Sequence, residues 1–209
     1  NAIIGANEYG VYAYMKHFAL NDQESNRLSM LCTWSNEQAI REIYLKPFEL
    51  AVKEGGTGAV MSSFNYIGTH WAGGSSSLLQ TVLRDEWGFQ GFVLTDYFGV
   101  YGYMNSDQAI RNGTDCMLVA YDTETNHVKD QESATGVQAM RQACKNILYT
   151  VVNSRAYDPE NLETGLMGWQ IAAIVIDVVF AAIIIVLEAV AIKKFLKRNA
   201  TEVKSQASK

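Results

Sequence analysis

Lys16, His17 and Phe18 stand about eighty residues ahead of Phe92-Val93-Leu94-Thr95-Asp96-Tyr97. Each polar group follows a short apolar run, the pattern of a β-strand ending and a functional loop beginning. In a barrel of parallel strands all C-terminal strand ends open on one mouth, where a lysine, a histidine and a carboxylate distant in sequence can converge. Asp96, beside the aromatic Tyr97, is placed to attack an anomeric carbon while the ring packs on the apolar face of a sugar. The same position suits an Asp that caps the next helix or turn. Lys16 and His17 both offer donors to sugar hydroxyls, but neighbours in a regular strand point to opposite faces. Their joint use requires a bend or an unusual peptide. Arg27, at the end of Asn21-Asp22-Gln23-Glu24-Ser25-Asn26-Arg27, carries a fork of donors suited to a hydroxyl or to orienting a carboxylate.

The elements that must position these groups alternate. Strands are expected over 10–18, 58–64, 92–95 and 116–119, and helices over 35–53, capped by Ser35 or Asn36, and over 75–86, 105–112 and 132–154. Strand and helix in alternation mean βα units and a parallel sheet. Four strands are half of an eight-stranded barrel. The expected fold is therefore α/β, the C-terminal part of a (β/α)8 TIM-type barrel. With Asn1 as first residue and almost no lead into the first strand, the sequence reads as the C-terminal portion of a longer chain, the other half-barrel lying upstream.

After the last expected helix the chain changes character. Residues 168–192 are apolar on every face and long enough, at ~1.5 Å per residue, to cross a hydrocarbon core of ~30 Å. Trp169 marks one edge; Lys193, Lys194, Lys197 and Arg198 crowd the other, which places 193–209 in the cytoplasm and the rest outside a cell membrane. The expected organisation is a partial barrel over 1–157, a linker over 158–167, a single transmembrane helix over 168–192 and a basic cytoplasmic tail over 193–209, irregular from Asn199 on. A long soluble core helix is the alternative. Asp177 and Glu188 interrupt the span. Glu188, near the basic end, can snorkel or pair with Lys193 or Lys194; Asp177 is either a polar residue tolerated near the interface or a contact with another membrane helix.

A net charge of −5 and the lack of a basic stripe in the first 160 residues give no electrostatic footprint for nucleic acid. Cys32, Cys116 and Cys144 are odd in number and widely spaced, fitting neither a disulfide scaffold nor a zinc site, and are expected as buried apolar residues. No cofactor or metal is expected.

From Gly10 to Tyr157 the residues resemble the barrel domain of glycoside hydrolase family 3, the β-glucosidase and β-xylosidase family. The segment from Lys16 to Arg27 is similar to its substrate-binding Lys-His segment, and Ala59 to Asn65 to the strand that follows. Trp71 to Ser75 with Leu83 to Phe89 resembles the approach to the nucleophile strand, and Thr95-Asp96-Tyr97 its Ser-Asp-Trp motif. Ala109 to Leu118 and Lys145 to Tyr149 continue the match. A Pro-Gly-His-Gly segment, typical of the N-acetylglucosaminidase branch, is absent after Phe18.

This resemblance implies that Asp96 is the nucleophile of a retaining mechanism, and that Lys16, His17, Arg27, Phe64 and Tyr97 bind the first sugar of an oligosaccharide or β-glycoside. Tyr97 replaces the usual Trp, a mild change. Phe64 stands where many members carry a Tyr whose hydroxyl lies near the nucleophile, which removes a hydrogen bond. The acid/base carboxylate would come from a sandwich domain upstream of Asn1. Glu124 and Glu132 are the nearest local carboxylates and match no family motif. The expected function is a membrane-anchored retaining β-glycosidase acting on terminal β-D-glucosyl or xylosyl residues, this portion alone being inactive. The alternatives are a catalytically inactive, membrane-tethered carbohydrate-binding protein and a membrane interaction protein acting through Asp177.

Overall fold

The computed structural model describes residues 1–99, 102–120, 127–158 and 165–206. It divides into two units, Asn1–Leu162 and Glu163–Lys209.

The first unit opens with a helix, α1 (Ala2–Glu8), where the sequence suggested a direct run into a strand. Its Asn7 side chain donates to the carbonyls of Gly55 and Gly56, which ties it down. Gly10, at φ +66°, turns the chain, and β1 (Tyr14–Phe18) starts four residues later than expected. After β2 (Cys32–Thr33), the helix expected over 35–53 forms in three parts: α2 (Glu37–Ala39), a wide π segment (Ile40–Tyr44) and α3 (Lys46–Lys53). Its cap is Asn36, whose side chain accepts the Ala39 N–H at 2.8 Å.

The chain continues through β3 (Ala59–Ser62), β4 (Tyr66–Ile67), β5 (His70–Trp71), a wide helix over Ser77–Glu86, and β6 (Phe92–Tyr97). It then forms α4 (Ser106–Arg111), β7 (Cys116–Leu118) and α5 (Ala134–Val152). Asn105 caps α4 and Ser133 caps α5.

The main sheet has four parallel strands in chain order, β1-β3-β6-β7, with Tyr14 opposite Ala59, Val60 opposite Val93 and Leu94 opposite Cys116. Alternation along the strands sends Met15, Val60 and Val93 to one face, where they pack with Leu45, Leu79, Leu83 and Trp87 from the helical segments. On the other face Tyr14, Phe92 and Leu94 are half-buried or exposed, with Tyr14 edge-on to Phe92. A second, small sheet, β2-β4-β5, has no counterpart in the sequence reading. Its strands are two residues each, too short to show a period.

The strand starts are set by close approach and a buried ion pair. A Cβ on Gly91 would meet the Gly58 carbonyl oxygen at 2.0 Å, so only glycine lets β6 enter beside β3. Asp115 accepts from Arg84 (2.7 Å), from the Val93 N–H (2.7 Å) and from Asn146 (2.8 Å). The wide helix, β6 and α5 thus meet on one carboxylate. Burial pushes its carboxyl up to about 6, against the downward pull of Arg84, the Val93 N–H and Asn146.

The cysteines differ from expectation. Cys32 and Cys144 are exposed and Cys116 is half-buried. Cys32 lies on a two-residue strand, and Cys144 faces out from α5 next to the buried Ala143.

The second unit is one helix, α6 (Gly168–Gln206), whose 28-residue stretch Gly168–Phe195 contains an 18-residue window of mean hydropathy 2.8 and is long and apolar enough to span a membrane. The helix continues past Ile192 through the basic segment and on to Gln206, into the stretch from Asn199 that was expected to be irregular; Lys, Arg and Gln are good helix formers and sustain it. Most of the linker, and Glu124, lie outside the described residues.

Asp115 has a folded pKa above the ~4 of an unfolded chain, so the folded state holds a proton that the unfolded state releases. Stability is expected to fall by roughly 3 kcal/mol as pH rises from about 4 to about 6, and to lose no more above that. Denaturant unfolding of Asp115→Asn across this window should show the slope flattened. An identical slope in both proteins would remove Asp115 as its source.

Candidate functional site

The C-terminal ends of β1, β3 and β6 lie side by side, and each carries a polar group. His17 comes from β1 and Asp96 from β6, while Ser63, Phe64 and Asn65 follow β3. The turn after β1 is held by carbonyl bonding: the Ala19 carbonyl accepts from Ser63 Oγ and Asn65 Nδ2, both at 3.1 Å. Asn65, fully buried, also donates to Thr33 Oγ1 at 2.9 Å, and Trp71 Nε1 donates to the Ser63 carbonyl. The small sheet is therefore a buttress that locks the strand ends from which the site emerges. The Lys16–His17 and Phe18–Ala19 peptides are both cis.

Asp96 is 8% exposed. Its Oδ1 accepts the Tyr97 N–H at 2.8 Å. Its Oδ2 lies 3.4 Å from His17 Nε2 and 4.0 Å from an Arg27 terminal nitrogen, and it has no hydrogen-bond partner among the described residues. It does not cap the following helix; Asn105 does. Burial first holds the His17 imidazole below its ordinary value; Asp96 and Glu24 pull it up, while Lys16 and Arg27 push it further down. His17 is therefore neutral at neutral pH and lies beside the carboxylate without a hydrogen bond to it.

Arg27 is fixed from two sides. Its guanidinium lies over the Phe64 ring, 4.9 Å from the centroid, and its Nε bonds Glu24 at 2.8 Å. The contact with a ring face is a cation–π interaction. Phe64, which the sequence marked for a missing hydroxyl, is buried beneath the arginine and joins Trp71, Phe98 and Met104 in a second apolar cluster. Tyr97 packs against that cluster, half-buried. Lys16 is exposed and close enough for its charge to act on His17.

Of the residues picked from sequence, His17, Arg27 and Asp96 meet directly; Phe64 enters through Arg27, and Lys16 through its charge. Glu24 was missed. Its signal was its place three residues before Arg27, the spacing of a one-turn ion pair. Glu132 is exposed on the loop before α5. Among the described residues no cluster of His, Cys, Asp and Glu is arranged to hold a metal.

Residues 1–148 match the family described as "Glycosyl hydrolase family 3 N terminal domain". The chain belongs to glycosyl hydrolase family 3. It is 31% identical over 173 residues to a probable beta-glucosidase K of Emericella nidulans, covering 76% of this chain and 20% of that protein. A beta-glucosidase of Rhizobium radiobacter is 46% identical over 97 residues, 46% of this chain and 12% of the relative. Among solved structures, beta-glucosidase 3B of Thermotoga neapolitana in complex with glucose superposes with a TM-score of 0.63 at 30% identity, covering 76% of this chain and 23% of that one. A beta-glucosidase of Paenibacillus barengoltzii gives 0.65 at 32% identity, covering 79% and 19%. The chain thus spans about a fifth or less of the length of the family 3 curated relatives described here.

The proximity of Asp96 to His17 has a direct spectroscopic consequence. Asp96→Asn removes the carboxylate that raises the imidazole, so the His17 titration midpoint, read by NMR of labelled histidine, should drop below its already lowered value. A midpoint that stays or rises would separate the two side chains.

Proposed function

We propose that this chain is the C-terminal part of the (β/α)8 barrel of a membrane-anchored, retaining β-glycosidase that releases terminal β-D-glucosyl or xylosyl residues. The observation that carries the reading is the Asp96 carboxylate. It sits at a strand end, buried, with one oxygen held by a backbone N–H and the other unbonded and turned to His17 and Arg27. A carboxylate so placed is oriented through one atom and keeps a lone pair on the other for the anomeric carbon.

In this reading Lys16, His17 and Arg27 bind hydroxyls of the terminal sugar, and Tyr97 offers a ring to its apolar face. Asp96 attacks the anomeric carbon as the leaving oxygen takes a proton from a second carboxylate; water then hydrolyses the glycosyl ester. That second carboxylate must stand about 5 to 5.5 Å from the first. We assign that carboxylate to a segment of the protein outside this chain, as the family resemblance implies. Barrel closure is supported by the consecutive order of the four parallel strands and by the apolar, half-covered face formed by Tyr14, Phe92 and Leu94. Parallel sheets are covered on both faces, and the remaining strands of a barrel would cover this one. The length and hydropathy of α6 support the anchor, and its basic end supports a cytoplasmic C-terminus.

The second reading, a tethered carbohydrate-binding protein without turnover, draws on Phe64. Its ring brings no hydroxyl to the nucleophile, while sugar binding by Lys16, His17 and Arg27 would survive.

In the protein that carries this chain, Asp96→Gly is expected to lose about a thousandfold or more of its turnover of nitrophenyl β-glucoside or β-xyloside. Azide should restore part of it and give the inverted glycosyl azide. Full activity in the variant would sink the nucleophile assignment; no turnover by any form, with glucose still bound, would favour the binding protein. Glu24→Gln should release the Arg27 guanidinium and raise KM roughly three- to fivefold with little change in kcat, matching the up to ~1 kcal/mol of an exposed pair. A fall in kcat alone would mean that Glu24 does not act through substrate binding.

A further inference from the structure

On α6 the two carboxylates inside the apolar stretch share a face. Asp177 and Glu188 are eleven residues apart, about three full turns with a remainder of only about 20°, and lie about 16 Å apart along the axis. The middle of Gly168–Phe195 falls between them, so both stand within the ~15 Å half-thickness of a hydrocarbon core. Between Gln170 and Ala191 the same narrow face carries Ala173 and Ala181, with Ile184 as its one bulky member; the other faces are Ile, Val, Leu and Phe with scattered alanines. Neither acid is relieved within its own helix. Lys193 and Lys194 lie about 140° and 240° around from Glu188, and no ion pair of Asp177 or Glu188 occurs among the described residues. Of the two outcomes the sequence left open for Glu188, snorkelling or pairing with those lysines, the pairing does not occur among the described residues, and the face is an open stripe of acids and small side chains.

We propose that this stripe is the contact face for a membrane helix of another polypeptide carrying two basic side chains at the heights of Asp177 and Glu188. The proposal rests on the anchoring proposed above. Charge complementarity selects the occupant. Membrane topology orients two copies of this chain the same way, so a copy would bring Asp177 against Asp177 and Glu188 against Glu188 and supply no basic partner for either acid. A helix with Lys or Arg at those heights neutralises both carboxylates at once, and the alanines let the backbones approach closely. Two acids in one register also specify the partner's register, since a shift of one turn leaves both unpaired.

The test uses the full chain, donor-labelled, in phosphatidylcholine vesicles. The probes are an acceptor-labelled synthetic Leu/Ala membrane helix with two lysines eleven residues apart, the same helix with leucines there, and an acceptor-labelled copy of the chain itself. Energy transfer should show the dilysine helix binding at least about fivefold more tightly than the dileucine helix. The preference should vanish for Asp177→Leu with Glu188→Leu, and shrink for Asp177→Asn with Glu188→Gln, which keep shape and hydrogen bonding but not charge. Equal binding of the two helices, or self-association stronger than dilysine binding, overturns the proposal, the latter making a second copy the occupant. Release of the chain by alkaline carbonate overturns the anchoring instead, and the proposal with it.

Discussion

The position of Asp96 depends on a carboxylate at the other end of its strand. Asp115 takes the backbone N–H of Val93 at the start of β6, and Asp96 emerges three residues, about 10 Å, further along. Arg84, which bonds Asp115, also donates to the carbonyls of Gly91 and Gly113, the residues that lead into β6 and β7. Asn146 brings α5 to the same point. A buried ion pair of this kind loses in desolvation much of what it gains in attraction, so it adds little net stability. What it does supply is register: if β6 slid by one residue, Asp96 would turn to the opposite face.

The two ends of the sheet therefore do opposite things. At the strand starts, close backbone approach at Gly91 and the Asp115 network leave few groups free to move. At the strand ends the residues are polar, and Asp96 Oδ2 is left without a hydrogen bond among the described residues. A buried acceptor without a partner is costly and is found where function requires it. The cost is reduced by Arg27 at 4.0 Å and by a neutral His17 at 3.4 Å. Arg27 in turn is held by the Phe64 face and by Glu24, so the ring that lacks a hydroxyl acts on the carboxylate indirectly, by supporting its cation.

The strands and helices of the main sheet were legible because their apolar residues recur with the periods of strand and helix, and because Asn36, Asn105 and Ser133 are good caps. The small sheet was not, since its identity lies in long-range bonds from Asn65 to Ala19 and Thr33 that no local pattern announces. For the same reason nothing in the sequence marked the role of Asp115, whose partners Arg84, Val93 and Asn146 are all distant in the chain. Asp96, His17 and Arg27 could be picked out by type and by position after apolar runs. Their mutual distances could not, because these follow from strand register. The cysteines were misjudged because the tendency of free Cys to be buried says nothing of which face of a helix a given one occupies.

The two units place apolar surface outward for different reasons, and the difference is physical. On α6 the apolar residues surround the helix, interrupted by one stripe, which suits a helix solvated by lipid on most sides. On the sheet the exposed apolar residues, among them Tyr14 at 40% and Leu118 at 36%, occupy one face only, and their neighbours across the strands are packed core. A one-sided apolar face on a parallel sheet calls for protein, not lipid, because the strands flanking it still have backbone donors and acceptors to satisfy at the sheet edges. In the function proposed for this chain, the remaining strands of the barrel would cover this face, while the second carboxylate of a retaining mechanism would stand at the C-terminal strand ends, beside Asp96.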